Sequence, residues 1–280
     1  LYPEQIGSMK TQNSWLKVKH THTPRKVYGK GAQDTIKDDT SPKLGSDKIN
    51  LIQQVVGVCL YYGRGIDDTI LPSLSAIATC QAQTTEDTLH RTHHLLDYLA
   101  THLDATVQYR ASGMAINIHS DASYLSEPEA KSRAAGHFYL GKQNDEDFDN
   151  GAIMTLSKII KHVMSSASEA ETAAMFYNCK AALPLRVTLE EMGHAQPKTQ
   201  VITDNSAAQG LITKTMIPKA AKSYDIRFNF LKCQEAQRQF DFIWRRGKNI
   251  RSDYHSKHHP VKHYIEKRNN YVVDIPLLKH

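Results

Sequence analysis

The sequence predicts a mixed α/β fold preceded by a small helical unit. Residues 46 to 103 carry apolar side chains at helical spacing. Residues 105 to 160 instead contain strand-length runs in which apolar and polar side chains alternate. Helical and strand patterns then follow one another to about residue 260. The change of pattern after residue 103 therefore divides the chain into a helical part and an α/β part.

The composition is typical of a globular protein with a basic surface. The 280 residues contain 35 Lys and Arg against 29 Asp and Glu, which gives a formal net charge of +6 and favours a polyanionic partner. The longest apolar runs, such as VVGVCLYY, are far shorter than the ~20 residues that cross a bilayer, so we expect no membrane span and an intracellular, cytoplasmic location. Four scattered cysteines predict neither a zinc module nor a disulfide framework.

Four segments are expected along the chain. Residues 1 to 45 include KVKHTHTPRKVYGKG, which has no hydrophobic period, and they are predicted to form an extended or disordered basic arm. Residues 46 to 103 form the helical unit, residues 104 to 265 form the α/β domain, and residues 266 to 280 form a tail.

The helical unit is predicted to contain three helices. Apolar residues from Ile49 to Leu60 recur at helical spacing in the first helix. The second, DDTILPSLSAIATCQAQ, begins with carboxylates that suit a helix N-terminus. The third, TTEDTLHRTHHLLDYLATH, opens with Thr85 as its cap and with Glu86 and Asp87 in its first turn.

The α/β domain is predicted to begin with strands and to continue with alternating helices and strands. Four runs are typical of strands: ATVQYRAS, MAINIHSDA, SRAAGHFYLG and NGAIMTLSKII, with the acidic turn KQNDEDFDN before the last. A long helix is expected from about Ser166 through Lys180, followed by a kink at Pro184 and a second helical stretch that ends at Gly193. TQVITD and FDFIW predict two further strands, with helical patterns between them, and RSDYHSKHH begins a last short helix.

Four acids lie near the ends of these elements, and each has an ordinary structural explanation. Asp121 at a strand end favours a turn, Asp204 and Asp253 could cap the helices that follow them, and Glu171 could be a solvated helix position. The helical neighbours of Glu171, however, form a small and largely apolar stripe that includes Ala174 and should face the sheet. Because a buried charge needs a partner, Glu171 could instead hold a cation jointly with Asp121 and Asp204.

The motifs HSDASY, SASEAE, TDNSAA, SYDIRFNFLK and SDYHSK, in this order, resemble the ribonuclease H domain of copia-type retrotransposon polyproteins. VVGVCLYYGRGIDDTILPSLSAIA and TTEDTLHRTHHLLDYLATH resemble the connecting region that precedes this domain. The resemblance covers about residues 46 to 260 and implies a ribonuclease H-like mixed five-stranded sheet flanked by helices. It also implies four catalytic, metal-binding acids: Asp121, Glu171, Asp204 and Asp253. In the last motif this sequence has YHS where the family often carries two apolar residues.

The family activity that the resemblance implies is metal-dependent hydrolysis of the RNA strand of RNA/DNA hybrids during reverse transcription. Two Mg²⁺ ions, for which Mn²⁺ can substitute, would be clamped by the carboxylates. The implied partners are the hybrid and the polymerase part of the same polyprotein, and the implied location includes virus-like particles. Asp67 and Asp68 match the connecting region rather than a Tyr-x-Asp-Asp polymerase signature, so we expect no polymerase activity.

A basic run, WRRGKNIR, precedes Asp253 and supplies Arg245, Arg246, Lys248 and Arg251. Such a run is either a solvated loop or a nucleic-acid-binding site for substrate phosphates. Two other functions stay open: a catalytically inactive module that binds hybrid or tethers the polymerase, and an integrase-like nuclease of the same fold that cuts DNA. The order of the motifs after TDNSAA favours ribonuclease H.

Overall fold

The computed structural model describes residues 39–142, 150–213, 225–259 and 261–275. The helices in these ranges are α1 (Ser46–Gly65), α2 (Leu71–Cys80), α3 (Glu86–Thr101), α4 (Ala167–Glu191), α5 (Ser206–Ile212), α6 (Asp225–Ala236), α7 (Asp253–Ser256) and α8 (Val261–Lys267). The strands are β1 (Ala105–Thr106), β2 (Ala115–Glu127), β3 (Lys131–Gly141), β4 (Ala152–Ile160), β5 (Thr199–Thr203), β6 (Phe240–Trp244) and β7 (Val273–Asp274). The predicted basic arm up to residue 38 and the acidic turn at 143–149 lie outside the described residues.

The chain divides into two compact units at points that differ from the segments expected from the sequence. A helical unit combines the described residues up to Gln108 with those from His258 onward, and a sheet unit runs from Tyr109 to Lys257. The segment expected to be a tail from residue 266 is described as far as Ile275, and it belongs to the helical unit. No helix within the described ranges combines the length and the apolar character needed to span a membrane.

The helical unit has a core of its own between α1, α2 and α3. Ile52, Val55, Leu74, Leu95 and Leu99 are almost fully buried there. Thr85 caps α3 as predicted, because its Oγ1 accepts a hydrogen bond from the Thr88 N–H. Burial of one apolar face from each helix stabilises an arrangement that none of these helices would keep alone.

The C-terminal segment is tied into the helical unit through strand pairing and through a buried arginine. β1 pairs antiparallel with β7, so Ala105 lies opposite Asp274. The Arg268 guanidinium donates to the Tyr98 hydroxyl at 2.7 Å and to both Asp274 carboxylate oxygens at 2.9 Å. It also lies 3.8 Å from a carboxylate oxygen of Asp67, whose burial raises its pKa to about 6. Asp67 is therefore a structural partner of a buried cation.

The strand expected over residues 105 to 112 is only two residues long. Beyond it, the Asn150 side chain accepts a hydrogen bond from the Arg110 N–H at 2.8 Å and donates one to the Arg110 carbonyl at 3.1 Å. One amide side chain thus satisfies backbone groups that a neighbouring strand would otherwise bond. The alternating pattern alone could not distinguish these two solutions.

The sheet unit is built on a mixed five-stranded sheet with the order β4-β3-β2-β5-β6. β2, β3 and β4 pair antiparallel as two consecutive hairpins, whereas β5 runs parallel to both β2 and β6. Helices α4 to α6 pack against the sheet. Ile118, Phe138, Val201 and Phe242 of the strands belong to one buried cluster with Met175 of α4. The predicted fold class, a mixed five-stranded sheet flanked by helices, is confirmed.

Helix α4 is one continuous helix through Pro184, where the sequence predicted a kink and a second helical stretch. Pro184 has no N–H with which to bond the carbonyl of Lys180, an exposed residue one turn earlier. Ala182 and Leu189 are buried on either side of the proline and belong to the same apolar cluster. We attribute the continuity of the helix to this packing, which outweighs the local cost of the proline.

Candidate functional site

Three of the four predicted acids converge in the sheet unit. Asp121 lies on β2, Glu171 on the first turns of α4, and Asp204 directly after β5. Each offers a carboxylate oxygen, and these three oxygens lie within 4.8 Å of one another. Asp121 and Glu171 are buried, whereas Asp204 is exposed, so the group is open to solvent on the side of Asp204.

Asp121 lies within its strand, whereas the sequence predicted that the strand would end there. β2 continues to Glu127, because β3 pairs with it past this point, and Asp121 faces Ala135 on that neighbouring strand. A turn at Asp121 is thus excluded. Asp121 is 5% exposed and lies on a strand that is paired with β3 at this position, so the backbone that carries its carboxylate is held by the sheet.

The start of α4 separates the roles of its two glutamates. Glu169 Oε2 accepts hydrogen bonds from the Ser165 N–H at 2.7 Å and from the Ser165 hydroxyl at 2.6 Å, so this side chain closes the helix N-terminus. Glu171 Oε1 instead accepts from the Ala122 N–H of β2 at 3.2 Å. Glu171 therefore faces the sheet, as its apolar helical neighbours indicated.

Asp204 is positioned by its backbone and by a glycine. The helix that follows is capped by Asn205, whose Oδ1 accepts from the Ala208 N–H at 2.9 Å, so capping does not account for Asp204. The Trp244 indole N–H donates to the Asp204 carbonyl at 2.8 Å. Gly247 lies so close that a Cβ at this position would be 2.5 Å from Asp204 Oδ2. A residue with a side chain at 247 would displace the carboxylate.

The pKa values of all three acids are raised, so the positive charge near them is too small to stabilise three ionised carboxylates. Burial raises the pKa of Asp121 to about 6, an effect that Lys257 opposes and Asp253 reinforces. Burial, and then the charges of Asp121 and Asp204, raise the pKa of Glu171 well above its usual value. Burial likewise raises the pKa of Asp204. The acids therefore repel one another when all are ionised.

Two oxygens of this group have no compensating donor. Asp121 Oδ2 and Glu171 Oε2 are buried, and neither has a hydrogen-bond partner among the described residues. Burying a carboxylate oxygen without a donor is costly, and hard oxygen ligands are those that Mg²⁺ prefers. The donor set thus fits a divalent cation.

Asp253 lies beside this group without joining the three-oxygen cluster. Its Oδ1 is 2.5 Å from Lys257 Nζ, four residues further along the chain. Its charge nevertheless raises the pKa of both Asp121 and Asp204, which places it in their electrostatic neighbourhood. Asp253 is in the first turn of α7, and the N-cap residue Ser252 makes no side-chain capping bond.

The four basic residues of the WRRGKNIR run follow β6 and lead toward α7. Arg246 and Lys248 are exposed, whereas Arg245 and Arg251 are partly buried. The Arg245 N–H donates to the Thr203 carbonyl at 2.9 Å, which places the start of the run directly beside Asp204. The Arg251 N–H donates to His119 Nδ1 at 2.9 Å. The run therefore begins at the open side of the acid group.

Three neighbours of the acids were not predicted from the sequence. Trp244 is 47% exposed although its indole N–H bonds the Asp204 carbonyl. Its position beside a basic run was the only sequence signal for this contact. Gly247 carries no sequence signal for its contact with a carboxylate. Lys257 was detectable, because its spacing of four residues from Asp253 is the spacing of a helical ion pair.

No protein-family model matches the chain, and neither does any curated protein. Among solved structures it is similar to the N-terminal ribonuclease H domain of a Mycobacterium tuberculosis protein, solved as a fusion with maltose-binding protein. That match has a TM-score of 0.38 and 12% identity, and covers 51% of this chain and 95% of that chain. A ribonuclease H1 isolated from compost, in complex with an RNA/DNA hybrid, is similar with a TM-score of 0.38 and 15% identity. That match covers 50% of this chain and 92% of that chain.

A foamy viral protease-reverse transcriptase in complex with an RNA/DNA hybrid is also similar, with a TM-score of 0.44 and 13% identity. The match covers 73% of this chain and 27% of that chain. Because every one of these TM-scores is below 0.5, the fold class stated above rests on the strand order and directions of the sheet.

Proposed function

We propose that the protein is a metal-dependent ribonuclease H that hydrolyses the RNA strand of RNA/DNA hybrids. The observation that carries this proposal is the convergence of carboxylate oxygens from Asp121, Glu171 and Asp204 to within 4.8 Å of one another. Three elements distant in sequence supply these acids, and two of the acids are buried at a cost that a bound cation would offset. The motif resemblance assigns the same residues to catalysis.

Asp121, Glu171 and Asp204 would hold the metal, with Asp253 as the adjoining fourth acid. When bound, a pair of Mg²⁺ ions supplies an activated water and stabilises the leaving oxygen of a phosphodiester, and Mn²⁺ can use the same oxygen ligands. Asp121 and Glu171 would bind the metal from the buried side of the site. Pairing of β2 with β3 holds Asp121, and the Ala122 N–H holds Glu171. Asp204 would meet the substrate at the exposed side.

The basic run would receive the nucleic acid. Arg246 and Lys248 are exposed in the run that begins beside Asp204, and they could pair with phosphates of a hybrid. The proposed context is reverse transcription in a retrotransposon of the copia type, in the cytoplasm and its virus-like particles, with the polymerase part of the same polyprotein as a partner. The five ordered motifs support that context.

The substrate is tested by cleavage of labelled RNA/DNA hybrid, duplex DNA and single-stranded RNA by the purified full chain. We expect cleavage of the RNA strand of the hybrid with Mg²⁺ or Mn²⁺, intact duplex DNA, and complete loss of activity in EDTA. Comparable cutting of duplex DNA would instead identify an integrase-like nuclease. Binding of hybrid without cleavage in either metal would identify an inactive binding module.

Exposed positive charges should control how hybrid binding depends on salt. Each of the substitutions Arg246→Ala and Lys248→Ala is expected to flatten the slope of log affinity against log salt by roughly 0.7 to 0.9, with no sequence preference. Lys180→Ala is the matched control, because Lys180 is exposed nine residues beyond Glu171 on α4. Fluorescence anisotropy between 50 and 300 mM salt, roughly the range in which counterion release is resolved, measures the slope. Equal slopes for the parent and the three variants would show that the run is an ordinary solvated loop that does not contact phosphates.

A further inference from the structure

Lys257 places a positive charge against the acid group. Its Nζ is 2.5 Å from Asp253 Oδ1, and both side chains are only about one third exposed, at 35% and 29%. The same charge opposes the rise that burial causes in the pKa of Asp121 and of Asp204. One ammonium group therefore acts on three of the four proposed metal-binding acids.

The turn that carries Lys257 is held in place on the sheet. The His255 carbonyl accepts a hydrogen bond from the Ser157 hydroxyl at 2.8 Å, and Ser157 in turn accepts from the Arg133 guanidinium at 3.0 Å. Arg133 is completely buried and is paired with Glu127 at 2.9 Å. These polar contacts hold α7 against the strands, and they therefore also fix the backbone position of Lys257, which directly follows α7.

We propose that Lys257 is a positioning residue, a built-in counter-cation of the acid group that competes with the divalent metal. It orients Asp253 and partly neutralises Asp121 and Asp204 while no metal is bound. The inference rests on the proposed function in one respect: the same acids are the metal ligands. An ammonium group on a flexible stem suits this role, because it can withdraw from the acids without rearrangement of the backbone.

Two opposite effects follow from this role, and a merely structural surface pair would produce neither. Without the ammonium, the acids of the metal-free protein lose a counter-charge, so that the metal-free fold becomes less stable. The same change removes a competitor of the metal, so that Mg²⁺ binds more tightly. A substitution at 257 should therefore weaken the metal-free protein and strengthen metal binding.

The test uses Lys257→Met, which keeps the length of the side chain and removes its charge. Mg²⁺ and Mn²⁺ binding are measured by calorimetry on the full chain, and thermal unfolding is measured in EDTA and in saturating Mg²⁺. We expect Mg²⁺ to bind roughly tenfold more tightly. The unfolding temperature should fall in EDTA, and the increase produced by Mg²⁺ should be larger than in the parent.

Two matched variants make the result specific. Lys257→Arg keeps the charge and should keep the parental metal affinity, whereas Lys262→Met removes the charge of an exposed pair with the same four-residue spacing, Lys262 with Glu266, and should change neither measurement. Parental Mg²⁺ affinity or a parental unfolding temperature in EDTA for Lys257→Met would overturn the inference. Hybrid cleavage is scored separately, so a protein that shows both shifts but never cleaves would overturn only the proposed function.

Discussion

Glu171→Gln is expected to reduce Mg²⁺-dependent hybrid cleavage at least about 100-fold, since a metal clamp contributes several kcal/mol to such reactions and each 1.36 kcal/mol is a factor of ten. The amide keeps the volume of the side chain and can still accept from the Ala122 N–H. It removes, however, the negative charge of a buried oxygen that has no hydrogen-bond partner among the described residues. The protein should therefore stay folded while it loses a metal ligand.

Glu169→Gln is the control, because the two glutamates are close in sequence but different in position. Glu169 and Glu171 are about 200° apart around the helix axis. Glu169 bonds Ser165 at the helix N-terminus, so the substitution should cost about 1 kcal/mol of stability and should change the cleavage rate little. Cleavage rates and the stabilisation by Mg²⁺ are compared for both variants. An inactive Glu169→Gln beside an active Glu171→Gln would refute the assignment of the metal ligand.

Without metal, the free energy of unfolding is expected to fall as the pH rises from about 4 to about 6. The pKa of Asp121 is raised to about 6 in the fold, mainly by burial, from an ordinary value of 3.8. The folded state therefore holds a proton that the unfolded state releases between these values. The stabilisation is complete below about pH 3.8 and is lost as the pH rises through 6, with a change of roughly 3 kcal/mol.

Asp121→Asn should remove the part of this pH dependence that Asp121 contributes, because the amide carries no charge at any of these pH values. The buried carboxyls of Asp67 and Glu171, whose pKa values are also raised, should keep their own contributions. In EDTA at pH 7, the variant is expected to be roughly 1 to 3 kcal/mol more stable than the parent, although it should cleave no hybrid. Urea denaturation at a series of pH values measures both effects, and Asp241→Asn on β6 is the control that should keep the parental dependence. A parental pH profile for Asp121→Asn would show that the Asp121 carboxyl does not contribute to the pH dependence of stability.

Local sequence patterns were sufficient for the mixed α/β class and for the orientation of Glu171, whereas the five-stranded sheet was implied by the family resemblance. The stripe of small residues around Glu171 records which face of α4 meets the sheet, and this information is contained within two helical turns. Strand-like alternation located β2 to β6 within a few residues. Asp121 was assigned to a strand end because the pairing of β2 with β3 beyond this residue depends on a partner strand that the local pattern does not contain.

The features that the sequence did not reveal all depend on distant partners. The continuous course of α4 through Pro184 depends on packing that involves the rest of the sheet unit. The contact between Gly247 and Asp204 joins two loops whose approach is set by the parallel pairing of β5 and β6. The pairing of β1 with β7 was hidden for the same reason, since two residues on each side carry no pattern.

The contact between Arg268 and Tyr98 has a consequence for the order in which the nascent chain can fold. These residues are 170 positions apart, so Tyr98 emerges during translation long before its partner. All of the sheet unit, from Tyr109 to Lys257, is synthesised in the interval. During that time the Asp67 carboxylate has no guanidinium beside it, and burying it alone would be costly. The helical unit, although it begins first, should therefore be the last to close.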